Sequence, residues 1–432
     1  MPLACKSSDD SPPEATGGAS AENGGAGAEG GAPDTTTREF PITDERIRLT
    51  GRIDFSDEQE PRFSSPGVYA EARFRGDALT VLLKDEHKNG DHNYYDVVID
   101  DRDPIKLVPE RRVTEYPIDV ELDYGVHDVA VIKRTEAMIG RGSYLGLRVD
   151  GQLLDHGIER ERKLVFIGDS ITAGSGVDAE NNSAECSEDG WGQPYHNANH
   201  SYGALTARAF DADFHITAVS GIGLVQNYDT RWDARTMPQV YDLVYVERTD
   251  SSTWDTERFV PDAIVIALGT NDFSTGEPSD PANTPPTPGV GGAGGAGGAG
   301  GAGGAGGVRS EPAGEPDPDW HRPTPTPAEF ADAYIAFIET LRGYYGDVPV
   351  FCMHSPMLGN HWPNVEDSFR DDHIASIQLV VEHYADAGDD TVYEVPIDKV
   401  TGGGCGTHPD AGQHAEMAEQ LEAVMGPALG WD

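Results

Sequence analysis

Val165–Gly176 reads VFIGDSITAGSG. An apolar run meets Gly-Asp-Ser and passes into a turn of small residues. With Lys163 and Leu164 in front of it, the run is a continuous apolar strand, the kind that a parallel sheet buries on both faces. The same grammar repeats towards the C-terminus. SYGALTARAF (201–210) is a helix with Ser201 as its candidate cap, and FHITAVSG (214–221) and PDAIVIALG (261–269) are strands. PAEFADAYIAFIETLRGYYG (327–346) carries Phe330, Tyr334, Phe337, Ile338 and Leu341 at helical spacing. The strand VPVFCMHSP, the helix DDHIASIQLVVEHYADAG, the strand TVYEVPI and a last helix in HPDAGQHAEMAEQLEAVMG follow. Alternating strands and helices predict a three-layer α/β/α domain over about 159–432, with ligands bound at the carboxyl ends of the strands.

Towards the N-terminus the pattern changes. VYAEARF, ALTVLLKD, YYDVVIDD, VHDVAVIKRTEA and YLGLRVDG are short β-rich runs separated by turn signals such as FRGDA (74–78) and VDGQ (149–152). They predict an all-β antiparallel sandwich or jelly roll over 38–158. Residues 1–37 are rich in Gly, Ala, Ser, Pro and acids, the composition of a disordered leader. A Pro/Gly-rich stretch over about 276–326, with a Gly-Gly-Ala period between Gly289 and Val308, reads as a flexible surface insertion into the α/β domain.

The chain has 432 residues and a formal net charge of −44, from 31 basic and 75 acidic side chains. Nucleic acid is not expected as a partner, because binding it relies on Lys and Arg neutralising phosphates. Anionic polysaccharides would be repelled as well, so a neutral substrate fits better. No run of apolar residues is long enough to span a bilayer. Of the four cysteines, Cys352 lies in an apolar strand and reads as a buried thiol; Cys186 and Cys405 lie in Gly- and polar-rich loops and could pair if the protein is exported. Connectivity does not follow from sequence. Leu3-Ala4-Cys5 is similar to the end of a bacterial lipoprotein signal without its preceding regions, so we expect a start upstream, a lipidated Cys5 and an extracellular or cell-surface location, the leader serving as spacer.

The chemistry-bearing residues fall at the expected strand ends. Ser170 ends the first α/β strand, Gly221 in AVSGIG the second, Asn271 in ALGTND the third, and His408 in GTHPDAGQH precedes the last helix. Each has an ordinary reading, as a helix cap, a turn glycine, a turn asparagine or a loop histidine. Together they are the parts of an acyl-transfer site. Ser170 would attack an ester carbonyl and His408 would take and return its proton. The backbone N–H groups of Ser170 and Gly221 and the Asn271 amide would receive the oxyanion.

The blocks GDS, SGIG, GTND and HPD resemble the SGNH (GDSL-like) hydrolases. GRIDF (51–55), KRTEA (133–137), SPMLGN (355–360) and GCGTHPDAGQHAEMAEQL (404–421) are similar to carbohydrate esterase family 2, over about 50–425. The resemblance implies an N-terminal jelly roll, an SGNH-type catalytic domain and metal-free removal of acetyl groups from plant cell-wall polysaccharides such as xylan or glucomannan. Many SGNH enzymes carry Asp three residues before the histidine; here that position is Cys405. We therefore expect a Ser170–His408 dyad, with a backbone carbonyl or a remote acid on the second ring nitrogen. Asp398 and Asp410 are the nearby carboxylates, and His414 reads as structural.

Tyr228 and Trp362 are the candidates for stacking on sugar rings, with Trp191 behind them. His196 and His200 have i, i+4 spacing without a carboxylate motif, and no metal or cofactor is expected. KRTEA reads as a structural ion pair in a strand. The expected protein is a monomeric serine esterase acting on acetylated polysaccharide or oligosaccharide. Its rivals are a short-chain lipid or acyl esterase on the same scaffold and a carbohydrate-binding protein with an impaired site.

Overall fold

The computed structural model describes residues 34–87, 92–100, 102–155, 160–179, 186, 193–228, 235–274, 323–360 and 367–431. Cys5, Trp191, Trp362 and nearly all of the Gly/Ala-rich insertion lie outside the described residues.

The N-terminal half is antiparallel: Thr37–Pro41 (β1), Ile47–Thr50 (β2), Arg62–Phe63 (β3), Tyr69–His87 (β4), Tyr95–Ile99 (β5), Ile105–Leu107 (β6), Glu115–Pro117 (β7), Gly125–Lys133 (β8) and Gly140–Leu154 (β9). The main path is β1-β9-β4-β8-β5-β6. β1 begins at Thr37, which pairs with Asp150, so the last residue of the expected leader already belongs to the sheet. The expected break at FRGDA is absent. VYAEARF and ALTVLLKD are one 19-residue strand, and VDGQ lies inside β9. The two glycines face each other across the β4–β9 ladder, Gly76 against Gly151, where the register shifts. Gly151 has φ +145°, and a Cβ there would lie 1.9 Å from the Arg75 carbonyl oxygen. The glycines therefore build a bulge that bends two long strands rather than a turn that ends them.

The C-terminal half holds Arg162–Gly168 (β10), Ala212–Ala218 (β11), Ala263–Ala267 (β12), Val350–Met353 (β13) and Val392–Val395 (β14). All pair in parallel, in the order β11-β10-β12-β13-β14. The helices are Ser170–Ala173 (α1), Tyr202–Ala209 (α2), Met237–Val240 (α3), Thr270–Phe273 (α4), Pro327–Tyr345 (α5), Phe369–Asp386 (α6) and Ala411–Leu429 (α7). One apolar core lies between the sheet and α5 and α6, where Phe330, Tyr334, Phe337, Ile338 and Leu341 are all buried, and a second lies against α2 and α7. Free Cys352 is buried in the sheet. This is the three-layer α/β/α arrangement expected from the alternation of elements. The chain moves from β10 to β11 on one side and to β12 on the other, so the end of β10 is the switch point where open parallel sheets form a crevice.

The halves are joined by buried polar contacts. Arg52 donates to the carbonyls of Tyr241 and Leu243, both at 2.6 Å, Tyr69 donates to Asp213 (3.0 Å), and Ser64 to Glu247 (2.9 Å). KRTEA departs from its expected role. Only Lys133 lies in a strand; Arg134 then crosses between the halves, pairing with Asp96 of β5 at 2.9 Å and with Asp178 of the α/β domain.

Candidate active site

Sheet register brings the first three candidates side by side. Gly168 of β10 pairs with Ala218 of β11 and with Ala267 of β12. Ser170, Gly221 and Asn271 follow these matched positions within a few residues each. Ser170 is not a helix cap. Asp169 is the cap of α1, its Oδ1 accepting the Ile171 N–H at 3.0 Å, and Ser170 is the first helical residue. Its hydroxyl faces the loop before α7, where it meets His408: Nε2 lies 2.7 Å from Ser170 Oγ.

The other imidazole nitrogen, Nδ1, lies 2.9 Å from the Cys405 carbonyl oxygen. A backbone carbonyl thus occupies the place of the missing acid. Asp410 instead caps α7, its Oδ1 accepting the Gln413 N–H (2.9 Å), and Asp398 donates its backbone N–H to Gln420 Oε1 (2.8 Å); the contact on His408 Nδ1 is the Cys405 carbonyl and neither carboxylate. Cys405 is joined to Cys186 in a disulfide. The loop around it is contorted, with φ +66° at Gly402, +62° at Gly406 and +61° at Thr407, the last a β-branched residue. His414 is buried and accepts the Tyr202 N–H at 3.1 Å, closing the start of α2; burial pushes its pKa down to about 3. Ser201 precedes α2, but its hydroxyl donates back to the Ala198 carbonyl.

Asn271 is tied on both sides of the site. Its Nδ2 donates to Asp169 Oδ2 (3.1 Å) and to the Ile222 carbonyl (2.8 Å). One acceptor adjoins the serine and the other adjoins Gly221, so the three donors are held in one frame. Burial pushes the Asp169 carboxyl up to about 7, against the hydrogen bond from Ile171. Gly221 has φ +79°, a conformation that favours glycine; a Cβ there would meet only Tyr228 Cβ, at 3.9 Å. Tyr228 donates its N–H to the Gly221 carbonyl (2.8 Å) and is 45% exposed. Asp272, overlooked in the sequence although it follows Asn271, anchors the same loop by accepting the N–H groups of Leu224, Val225 and Gln226 at 3.0, 2.6 and 3.0 Å. His200 bonds Asp178 (2.7 Å), and the His196 carbonyl accepts Arg134; both belong to the contact between the halves.

The arrangement has the parts for acyl transfer: a hydroxyl touching an imidazole, a fixed tautomer, and donors beside them. Burial lowers the His408 pKa, partly opposed by the Cys405 carbonyl. A base must be neutral, so kcat/KM should stay flat below the ordinary imidazole value of 6.5 and fall only in more acid solution. A pH profile with its acid limb at or above that value contradicts this assignment.

With that geometry in place, comparison with known proteins decides the family. Residues 166–416 match the GDSL-like Lipase/Acylhydrolase family, and residues 49–156 match the Carbohydrate esterase 2 N-terminal domain. The chain belongs to the GDSL-like lipase/acylhydrolase family. Its N-terminal match is to carbohydrate esterase family 2, the family that the motifs resemble. The chain is 30% identical over 390 residues to the cellulase/esterase CelE of Acetivibrio thermocellus, covering 89% of this chain and 40% of that protein. It is 31% identical over 250 residues to an acetylxylan esterase / glucomannan deacetylase of Cellvibrio japonicus, covering 56% of this chain and 66% of the relative. The chain therefore spans less than two thirds of these relatives. Among solved structures, a family two carbohydrate esterase from Clostridium thermocellum in complex with cellohexaose superposes with a TM-score of 0.69 at 27% identity, over 89% of this chain and all of that one.

Proposed function

We propose that this GDSL-like protein is a carbohydrate esterase that removes O-acetyl groups from neutral plant cell-wall polysaccharide by a serine acyl-enzyme route. The observation that carries the reading is the 2.7 Å contact between Ser170 Oγ and His408 Nε2, made beside Gly221 and Asn271. Ser170 Oγ attacks the acetyl carbonyl as its proton passes to His408. The tetrahedral oxyanion is held by the N–H groups of Ser170 and Gly221 and by the Asn271 amide, which exchanges one of its protein acceptors for it. On collapse the imidazolium protonates the departing sugar oxygen, leaving acetyl-Ser170. Water then attacks, giving its proton to His408, and the return of that proton to Ser170 frees acetic acid.

The relatives named for acetylxylan and glucomannan, and the one bound to cellohexaose, support a β-linked glycan as the alcohol component. Exposed Tyr228 beside Gly221 offers a face for a pyranose ring. The acidic surface favours neutral chains over anionic ones. The test is acetate release from acetylated xylan and acetylated glucomannan, beside hydrolysis of long-chain acyl esters. Release from either polysaccharide supports the reading, and activity on long-chain esters alone replaces it with a lipid esterase. Asn271→Ala should lower kcat by roughly 10²–10³-fold with little change in KM, as for loss of one oxyanion donor. Steady-state kinetics on an acetyl ester measures it, and an unchanged kcat removes Asn271 from the hole.

The same reading places the protein outside the cytosol, supported by the Cys186–Cys405 bridge, since disulfides persist in oxidising compartments. Attachment through a lipidated Cys5 would hold it at the cell surface. Incorporation of labelled palmitate in the native host, lost on Cys5→Ala, tests the anchor.

A further inference from the structure

Glu136 belongs to the β-rich half, just beyond β8, yet its side chain ends in the other domain. It is 5% exposed, and its Oε2 accepts the Ser220 N–H at 2.9 Å. Ser220 immediately precedes Gly221, whose carbonyl accepts the Tyr228 N–H at 2.8 Å. The peptide that carries the Gly221 N–H is thus clamped from both sides, on one side by a charged acceptor, and charge-assisted hydrogen bonds are about twice as strong as neutral ones. We propose that Glu136 is a positioning residue for ester hydrolysis, a carboxylate lent by the β-rich half that fixes the Gly221 donor and supplies negative charge where position 405 carries no acid. The inference rests on the esterase reading for its reaction, though its geometry does not depend on the substrate.

The segment around Glu136 is built to hold one place. Buried Lys133 turns its ammonium back onto the carbonyls of Thr135 (2.5 Å) and Glu136 (3.0 Å). Arg134 spans Asp96 and Asp178, and its carbonyl accepts the Ala198 N–H (2.9 Å). Thr135 donates to Asn93 (2.7 Å), and Ala137 is buried in the core beside the sheet. Every residue from Lys133 to Ala137 is therefore fixed by its own contact, and the glutamate is delivered to one position. An ion pair within a strand would not require this.

The charge also reaches the catalytic histidine. Burial lowers the His408 pKa, and the Cys405 carbonyl, the Glu136 charge and the Gly406 peptide act to raise it. His408 also meets the Ser170 hydroxyl and interacts electrostatically with His414, whose pKa burial has pushed down to about 3, so that it is neutral. Lys133 is a positive charge that interacts with Glu136, and burial pushes its pKa down to about 7. His408 becomes cationic in the transition state while its Nδ1 has only a neutral carbonyl partner. A nearby fixed carboxylate favours that charge in the way the usual acid would.

The test uses the whole chain, with Glu136→Gln and Glu136→Ala beside wild type. Three quantities are measured: kcat and KM on an acetyl ester, the pH dependence of kcat/KM, and the rate at which an aryl phosphonate modifies Ser170, followed by mass spectrometry. Glu136→Gln keeps an acceptor for the Ser220 N–H and removes the charge. It should fold, lower kcat by roughly 10-fold at near-constant KM, and move the acid limb of kcat/KM to lower pH. Glu136→Ala also loses the acceptor and should cost up to about 100-fold, as for misplacement of a catalytic group. Phosphonylation should slow in the same order. A lower melting temperature in both variants with kcat, the acid limb and phosphonylation unmoved would overturn the proposal and leave Glu136 as a link between the halves. If wild type releases no acetate from any glycan, the substrate reading fails, while the phosphonate rates still decide the role of Glu136.

Discussion

Alanine at Ser170 or at His408 is expected to reduce acetyl-ester turnover by roughly 10⁴–10⁶-fold, each alone costing nearly as much as both together. The reason is that the two form one unit. The hydroxyl is not nucleophilic at neutral pH without a base, and the 2.7 Å contact provides the only base within reach among the described residues. The imidazole has no second target, since Nδ1 is held by the Cys405 carbonyl. Residual activity in either variant would come from the oxyanion donors and from binding. KM should change little, because neither side chain is needed to hold the sugar. Single-turnover release of acetate by wild type, both single variants and the double variant checks this. Additive losses, or a Ser170→Ala protein as active as wild type, would eliminate the serine mechanism. A protein inactive even as wild type would revive the reading of a binding module.

Breaking the Cys186–Cys405 bridge should have the next largest effect, and it should appear twice. The bridge joins positions 219 residues apart, and a link of that span removes much of the freedom of the unfolded chain, worth about 2–5 kcal/mol. The second effect is on the chemistry. The carbonyl that orients His408 belongs to Cys405, in a loop with positive φ at Gly402, Gly406 and Thr407. The loop is held besides by Cys405 N–H to the Gly176 carbonyl (3.2 Å), Gly404 N–H to the His408 carbonyl (2.8 Å), His408 N–H to the Cys405 carbonyl (3.2 Å) and Gly403 N–H to Gln413 Oε1 (3.1 Å). Without the covalent tie the carbonyl shifts and the imidazole loses its fixed orientation. A shift of about 1 Å can cost up to roughly 100-fold in rate. Cys186→Ser, or wild type in reductant, should therefore melt lower and show a reduced kcat with KM nearly retained, and Cys186→Ser should be insensitive to reductant. Cys352 is a buried free thiol in every case and serves as the internal control. Lower stability with unaltered kcat would show that the bridge does not position the histidine.

How far these features were readable from residues alone follows from their physics. Continuous apolar strands, the face of α5 and the order of Ser170, Gly221, Asn271 and His408 are local patterns, and the fold places them at matched strand ends without further information. The two expected turns in the β-rich half became one bulge because glycine permits both, and only the partner strand chooses. Gly76 and Gly151 meet across β4 and β9. For the second nitrogen of His408 the residues left two holders open, a backbone carbonyl or a remote acid; the Cys405 carbonyl holds it, and sequence could not single it out because every residue carries a carbonyl. KRTEA showed opposite charges, which in sequence mean an ion pair by default. Its glutamate turned instead towards Ser220, a residue 84 positions away.

The amino-acid order by itself determined the two fold classes, the family and the four residues that meet at the end of β10, because hydrophobic period, glycine and a reactive side chain each carry a signature at their own position. The tertiary structure alone decided what holds those residues in place: the Cys405 carbonyl, the bridge behind it, Asp169 beside Asn271, Asp272 on the loop after Gly221, and Glu136 reaching in from the other half. These are contacts between distant atoms, many of them backbone, and chain distance conceals them until the sheets pack.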